Sequence, residues 1–171
     1  PFLSQAVWNY AIADADGGAM LWRGTEAQIV AFNIAHISGV EGWMGPLAVA
    51  NTHQGGGAGK IIVRTAVEWL KSRGARVIGL ETMPRTMDNI GFYSGLGFVP
   101  GRLTITLTVE AHEGTRKTRT LGSLNAAAAA RSLSHALIPG YDFSREMRLT
   151  QELGVGDTLI LEEGGRVVGF A

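Results

Sequence analysis

Between two differently patterned stretches the chain reads Gln54-Gly55-Gly56-Gly57-Ala58-Gly59-Lys60. Before it lies an apolar run ending near Ala50; after it, from Gly59, apolar residues return with helical spacing. A strand, a glycine turn and a helix in that order leave a chain few choices. Glycines lack the Cβ atoms that would block close approach, so successive N–H groups can face one concavity at the positive end of the helix. A phosphate or pyrophosphate fits there, the alternative being a plain flexible turn. Two other glycine motifs fail on spacing. A P-loop needs glycine five residues before Gly59 and Ser or Thr after the lysine, where this chain has Gln54 and Ile61. The dinucleotide fingerprint, counted from Gly55, Gly56 or Gly57, ends on Lys60, Ile61 or Ile62, none of them glycine or alanine. Neither an ATPase nor a nicotinamide enzyme is expected.

The flanks fill in an α/β order. Ala19 to Arg23 and Gln28 to Ile37 surround the turn Gly24-Thr25-Glu26 and predict a hairpin. Trp43 to Ala50 predicts a third strand, interrupted by Gly45-Pro46, where the missing N–H of proline points to a bulge or a broken ladder. Ile62, Ala66, Trp69 and Leu70 share one helical face, and Gly74 offers a stop. Arg76 to Met83 predicts a strand, Thr86 to Leu96 a short helix, and Phe98 to Val109 an extended run in which Thr104, Thr106 and Thr108 alternate with apolar residues. The order is β-β-β-α-β-α-β.

Ala111 to Thr120, charged and threonine-rich, reads as a linker. Beyond it, Leu124 to Leu137 and Ser144 to Leu153 predict two helices, the second capped by Ser144 and ended by Gly154. A last hairpin joins Thr158 to Leu161 with Arg166 to Phe170, and its Arg166-Val167-Val168-Gly169-Phe170 echoes Gln28-Ile29-Val30-Ala31-Phe32 in the first.

Fifteen basic against fifteen acidic residues leave no net charge, so nucleic acid and anionic membranes are not expected as partners and any anion site must be local. The absence of cysteine excludes disulfides and thiolate chemistry and suits a cytoplasmic protein. No apolar run approaches the roughly 18 residues that span a bilayer. The histidines at 36, 53, 112 and 135 have no ligand spacing, so no metal is expected.

Gln54, Gly57 and Gly59 resemble the pyrophosphate loop of the GNAT superfamily of N-acetyltransferases, with its Gln or Arg, two residues, Gly, one residue, Gly or Ala. Asn89-Ile90-Gly91-Phe92-Tyr93 with Gly97-Phe98 is similar to the family's second block. The resemblance implies a mostly antiparallel mixed α/β sheet flanked by helices, splayed at a site for acetyl-CoA. It implies cofactor contacts from Leu47, Ala48 and Val49 on the splayed strand, from Gln54, Gly55, Gly56, Gly57, Ala58, Gly59 and Lys60 in the loop, and from Asn89 and Phe92. The family's asparagine more often lies seven residues before the tyrosine, where this chain has Thr86.

The implied reaction is attack of an amine acceptor on the thioester, with the Val49 N–H holding the oxyanion and Tyr93 protonating the leaving thiolate. Glu41, His36 and Glu81, at or near strand ends, are candidates for a base acting through water. An acetyl-CoA-binding sensor or scaffold without turnover is the alternative function. In domain terms, residues 1–110 form an acetyl-CoA-binding domain incomplete at its N-terminus, where the family has a first strand and two helices and Phe2 to Ala13 is the remnant, 111–120 a linker, and 121–171 either the start of a second such domain or a segment folding back on the first. With Pro1 first and Ala171 within an apolar run, the chain is expected to be cut from a longer tandem protein. The open edge at Phe170 favours pairing, a homodimer being one way to meet it.

Overall fold

The computed structural model describes residues 5–13, 18–82, 87–101, 110, 119–120, 124–137 and 139–171. Strands β1 (Gly18–Arg23), β2 (Ile29–Ser38), β3 (Glu41–Val49) and β4 (Val77–Leu80) form one sheet in the order β1-β2-β3-β4. The first two pairings are antiparallel and β3 with β4 is parallel, because helix α2 (Ala58–Ser72) crosses over between them.

Alternation along β2 divides the sheet. Ala31 and Ala35 face α2, where Ile62, Val63, Ala66 and Leu70 recur at helical spacing and, with Met20 and Met44, make the core. Leu70 and Ala66 are wholly inaccessible. Gly74 ends the helix as expected: at φ 93° it lets Ala75 N–H reach the Leu70 carbonyl and its own N–H reach that of Lys71.

The other face carries Val30, Phe32, Ile34, His36 and Ser38. Trp8 of α1 (Gln5–Ile12) lies 5.6 Å from Phe32, ring to ring. Helix α3 (Met87–Ser94) follows β4. The C-terminal segment comprises β5 (Arg119–Thr120), α4 (Leu124–Leu137), α5 (Ser144–Glu152), β6 (Leu159–Glu163) and β7 (Arg166–Phe170), with an antiparallel sheet in the order β5-β6-β7.

Helix α5 packs against β2 through a polar seam. Asp142 N–H donates to Glu41 Oε2 at 2.9 Å and Arg145 N–H to Ser38 Oγ at 3.1 Å, while Ser38 Oγ donates to Asp142 Oδ1 at 3.4 Å. His36 Nε2 lies 3.4 Å from Glu146 Oε1, and the Arg145 guanidinium donates to the Tyr10 carbonyl at 3.4 Å.

Three local readings are corrected. Arg119 and Thr120, read as the end of a linker, pair with Ile160 and Leu159. Strand β6 runs two residues further than expected, because Gly164-Gly165 alone closes the hairpin. Ser144 is the first residue of α5 rather than its cap; Asp142 Oδ1 accepts both its N–H and its hydroxyl. The alternation over 103–109, Thr86 and residues 111–118 of the linker lie outside the described residues.

Candidate active site

Strand β3 keeps β2 beside it along its length but pairs with β4 only from Glu41 to Met44. Between Met44, opposite Ala35, and Leu47, opposite Asn33, it carries one more residue than β2. That bulge falls on Gly45-Pro46, as the missing proline N–H leads one to expect. Past it, Ala50 N–H donates to the Val30 carbonyl at 2.8 Å, which fixes the alternation. Ala50 and Ala48 turn their peptide groups to β2, and Val49 and Leu47 turn theirs to the opposite edge, where β4 no longer runs. Gln54 Nε2 donates to the Val49 carbonyl at 3.1 Å and to Asn51 Oδ1 at 3.1 Å. The Val49 N–H is left on the open edge.

The chain leaves β3 through a short 3-10 turn (Asn51–His53) and enters α2 through Gly57, whose φ of 86° and ψ of −2° are left-handed. The first bond into the helix is Ile61 N–H to the Gly57 carbonyl at 3.2 Å. Among the described residues, no backbone acceptor takes the N–H groups from Gly55 to Lys60. They stand at the positive end of a helix of 15 residues, with no side chain capping it. A Cβ at Gly55 or Gly57 would meet no heavy atom within 4 Å, so the space beside the loop is open.

Gly59 joins three elements. A Cβ there would stand 3.3 Å from Phe92 Cζ and 3.6 Å from Val49 Cγ2, so the end of β3, the first turn of α2 and the middle of α3 meet at this glycine. Tyr93, next to Phe92, is half-buried, its ring edge-on to Phe92 at 5.0 Å and to Phe98 at 6.0 Å. Its pKa, above neutrality for any free phenol, is raised further by burial. Leu47 and Val49 pack on the α2 face with Phe92 and Tyr93, Ala48 turns to the other face, and Asn89 lies one turn before Phe92 and Tyr93.

The structure thus gathers the strand end, the loop and α3, and separates Glu41 from them. Glu41 opens β3, about 13 Å along the strand from Gly45. The residue is 7 % exposed and its carboxylate holds Asp142 N–H. Being fixed in the seam, it is not placed to act as a base at the loop end. His36 is occupied by Glu146 on the same face. Glu81 follows the last paired residue of β4, Leu80, and is exposed level with Gly45, at the mouth of the gap. Sequence reading missed Asn33, whose buried side chain donates to the Gly45 and Pro46 carbonyls at 3.4 and 3.2 Å. An amide alone within the apolar run from Ile29 to Ile37 was the available signal. Among the described residues, no three His, Asp or Glu side chains group as metal ligands.

Glu41 is a stability element with a defined sign. Burial raises its pKa above the unfolded value, an effect only partly offset by the Asp142 N–H. Ionisation therefore costs the folded state more than the unfolded one, and stability present at low pH is lost as pH rises through the folded pKa. Glu41→Gln keeps an acceptor for Asp142 and cannot ionise. We expect its melting temperature to exceed wild type at pH 8, with the difference closing below about pH 4. A variant less stable than wild type at pH 8 would show that the charge itself is stabilising.

The Acetyltransferase (GNAT) family model matches residues 2–98. The uncharacterized N-acetyltransferase YobR of Bacillus subtilis is 33% identical over 66 residues, 37% of this chain and 27% of that protein's length. A putative acetyl transferase from Pyrococcus furiosus superposes with a TM-score of 0.56 at 15% identity, covering 61% of this chain and 74% of that one. AAC(6')-Iy, solved with the bisubstrate analog CoA-S-monomethyl-acetylneamine, superposes with a TM-score of 0.54 at 15% identity, over 62% of this chain and 78% of that one. These structures share its mixed α/β architecture.

Proposed function

Because the chain belongs to the GNAT family of acetyltransferases, we propose that it moves an acetyl group from acetyl-CoA to the nitrogen of an amine. The observation that carries this reading is the meeting at Gly59. There a strand end whose outer edge no strand covers, N–H groups with no backbone acceptor among the described residues, and an aromatic pair converge. Those groups suit the parts of acetyl-CoA. The N–H groups from Gly55 to Lys60 would hold the pyrophosphate, with the Lys60 charge beside them. The open edge at Leu47 would bond an amide of the pantetheine arm as a neighbouring strand does, the Val49 carbonyl being held by Gln54. The structure of AAC(6')-Iy with a CoA-linked analogue supports a CoA arm in a fold of this kind.

Bound acetyl-CoA supplies a thioester whose acyl carbon an amine can attack. This chain's part is mainly to hold the two reactants together, an effect worth on the order of 7–11 kcal/mol when orientation is good. The Val49 N–H, on the open edge, is our donor for the carbonyl oxygen as it gains charge. Tyr93, a neutral phenol, carries the proton that the sulfur takes as the C–S bond breaks. Of the three candidate bases, Glu81 alone stands at the gap, and we assign to it, through a water, the proton that the amine sheds.

Calorimetric titration with acetyl-CoA, desulfo-CoA and ATP tests the reading. Binding of both CoA species with a Kd in roughly the micromolar range, and none of ATP, is expected. Failure of both CoA species to bind would end it. A panel of amines then separates an enzyme from a sensor, since binding without turnover of any amine favours the sensor. In the same panel Glu81→Gln should slow turnover; an unchanged rate removes Glu81 as the base.

A further inference from the structure

We propose that Asn33 is the positioning residue that fixes the splay of β3, and so decides whether the Leu47 and Val49 peptide groups face the gap. The inference rests on the acetyl-CoA reading and adds to it a residue on the neighbouring strand, opposite Leu47.

Asn33 is 1 % exposed, on the α2 face of β2 between Ala31 and Ala35, where every neighbour along the strand is apolar. A buried amide costs free energy there unless it is bonded, and an aliphatic side chain of the same size would suit the core better. What the amide does is specific. Its Nδ2 donates to the Gly45 carbonyl at 3.4 Å and to the Pro46 carbonyl at 3.2 Å, the two residues that make the bulge. Two acceptors on one atom fix which end of the amide is nitrogen. Its Oδ1 is buried and has no partner among the described residues, so what the side chain holds there is the pair of bulge carbonyls.

The bulge and the site are linked by strand geometry. Without the extra residue, β3 would run on in the register it has at Ala35 opposite Met44. A slip of one residue exchanges the two faces and the two edges of everything that follows. Leu47 and Val49 would leave the core and turn their N–H groups to β2, and the edge facing the gap would present Ala48 instead. By binding both carbonyls, Asn33 favours the bulged register over the straight one.

The test compares two ligands on one protein. Full CoA reaches both the loop and the strand edge, whereas 3′-phosphoadenosine 5′-diphosphate has the phosphates without the pantetheine arm. In wild type, CoA should bind about tenfold or more tighter than the fragment. In Asn33→Leu, fragment affinity should stay within about twofold of wild type and the CoA advantage should vanish, with kcat lower at saturating acetyl-CoA. Asn33→Thr keeps one hydroxyl donor in less volume and should recover part of the advantage; it also carries the test if the leucine variant does not fold. A retained CoA advantage in both variants overturns the role of Asn33 alone. An equal loss for both ligands also overturns it, by showing general damage to the fold. A wild-type chain that binds neither ligand overturns the acetyl-CoA reading itself.

Discussion

Gly57→Glu is expected to abolish acetyl-CoA binding in a chain that still folds. The two halves of that outcome have separate causes. Gly57 sits at φ 86°, where a side chain costs about 1–2 kcal/mol, but a Cβ there meets no heavy atom within 4 Å. A carboxylate at the positive end of α2 also recovers about 0.3–1 kcal/mol through the helix dipole. The apo protein should therefore melt within a few degrees of wild type. The same carboxylate would stand in the concavity proposed for the pyrophosphate. Like charges about 4 Å apart at an effective dielectric near 20 repel by about 4 kcal/mol, close to a thousandfold in affinity. Calorimetry with acetyl-CoA, run beside a thermal melt, reads both halves. Unchanged affinity in a folded variant would remove the loop from the site. Gly57→Asn, which tolerates the left-handed backbone and brings no charge, should lose far less.

Tyr93→Phe is expected to lower turnover by about 10²–10⁴ while cofactor affinity and stability barely move. The ring's contacts with Phe92 and Phe98 survive the change. No described residue is left without a hydrogen-bond partner, so the stability change should stay within about 0.5 kcal/mol. What disappears is the ring's one ionisable proton, the proton assigned to the leaving sulfur. The comparison to make is kcat at saturating acetyl-CoA against Kd from titration. Equal acetylation rates for the two proteins would take Tyr93 out of the acid role.

What could be read before the fold was known follows the range of each signal. Local patterns were legible. The period of Ile62, Ala66 and Leu70 set α2, glycines ended both it and α5, and Gly45-Pro46 marked where β3 parts from β4. The loop could be read because its chemistry lies in one run of seven residues. Glu41 could not, because its partner is 101 residues away and no pattern near residue 41 names Asp142. Asn33 was hidden for a related reason: its role depends on carbonyls 12 and 13 residues distant, brought opposite only by strand register. Arg119 and Thr120 were lost to composition, since so short a strand has no period and its identity comes from the edge it joins.

The seam under α5 also bears on how the chain comes to be folded. Its bonds to Ser38 and Glu41 span 101 to 107 residues, so they close only after residues 142–145 have been made. At a synthesis rate of about 5–20 residues per second, Ser38 and Glu41 wait roughly 5–20 s for their partners to emerge. Polar groups can pass that interval hydrated, whereas an apolar patch of the same extent would be adhesive to other nascent chains. A docking surface built from a hydroxyl and a carboxylate suits a partner that arrives late.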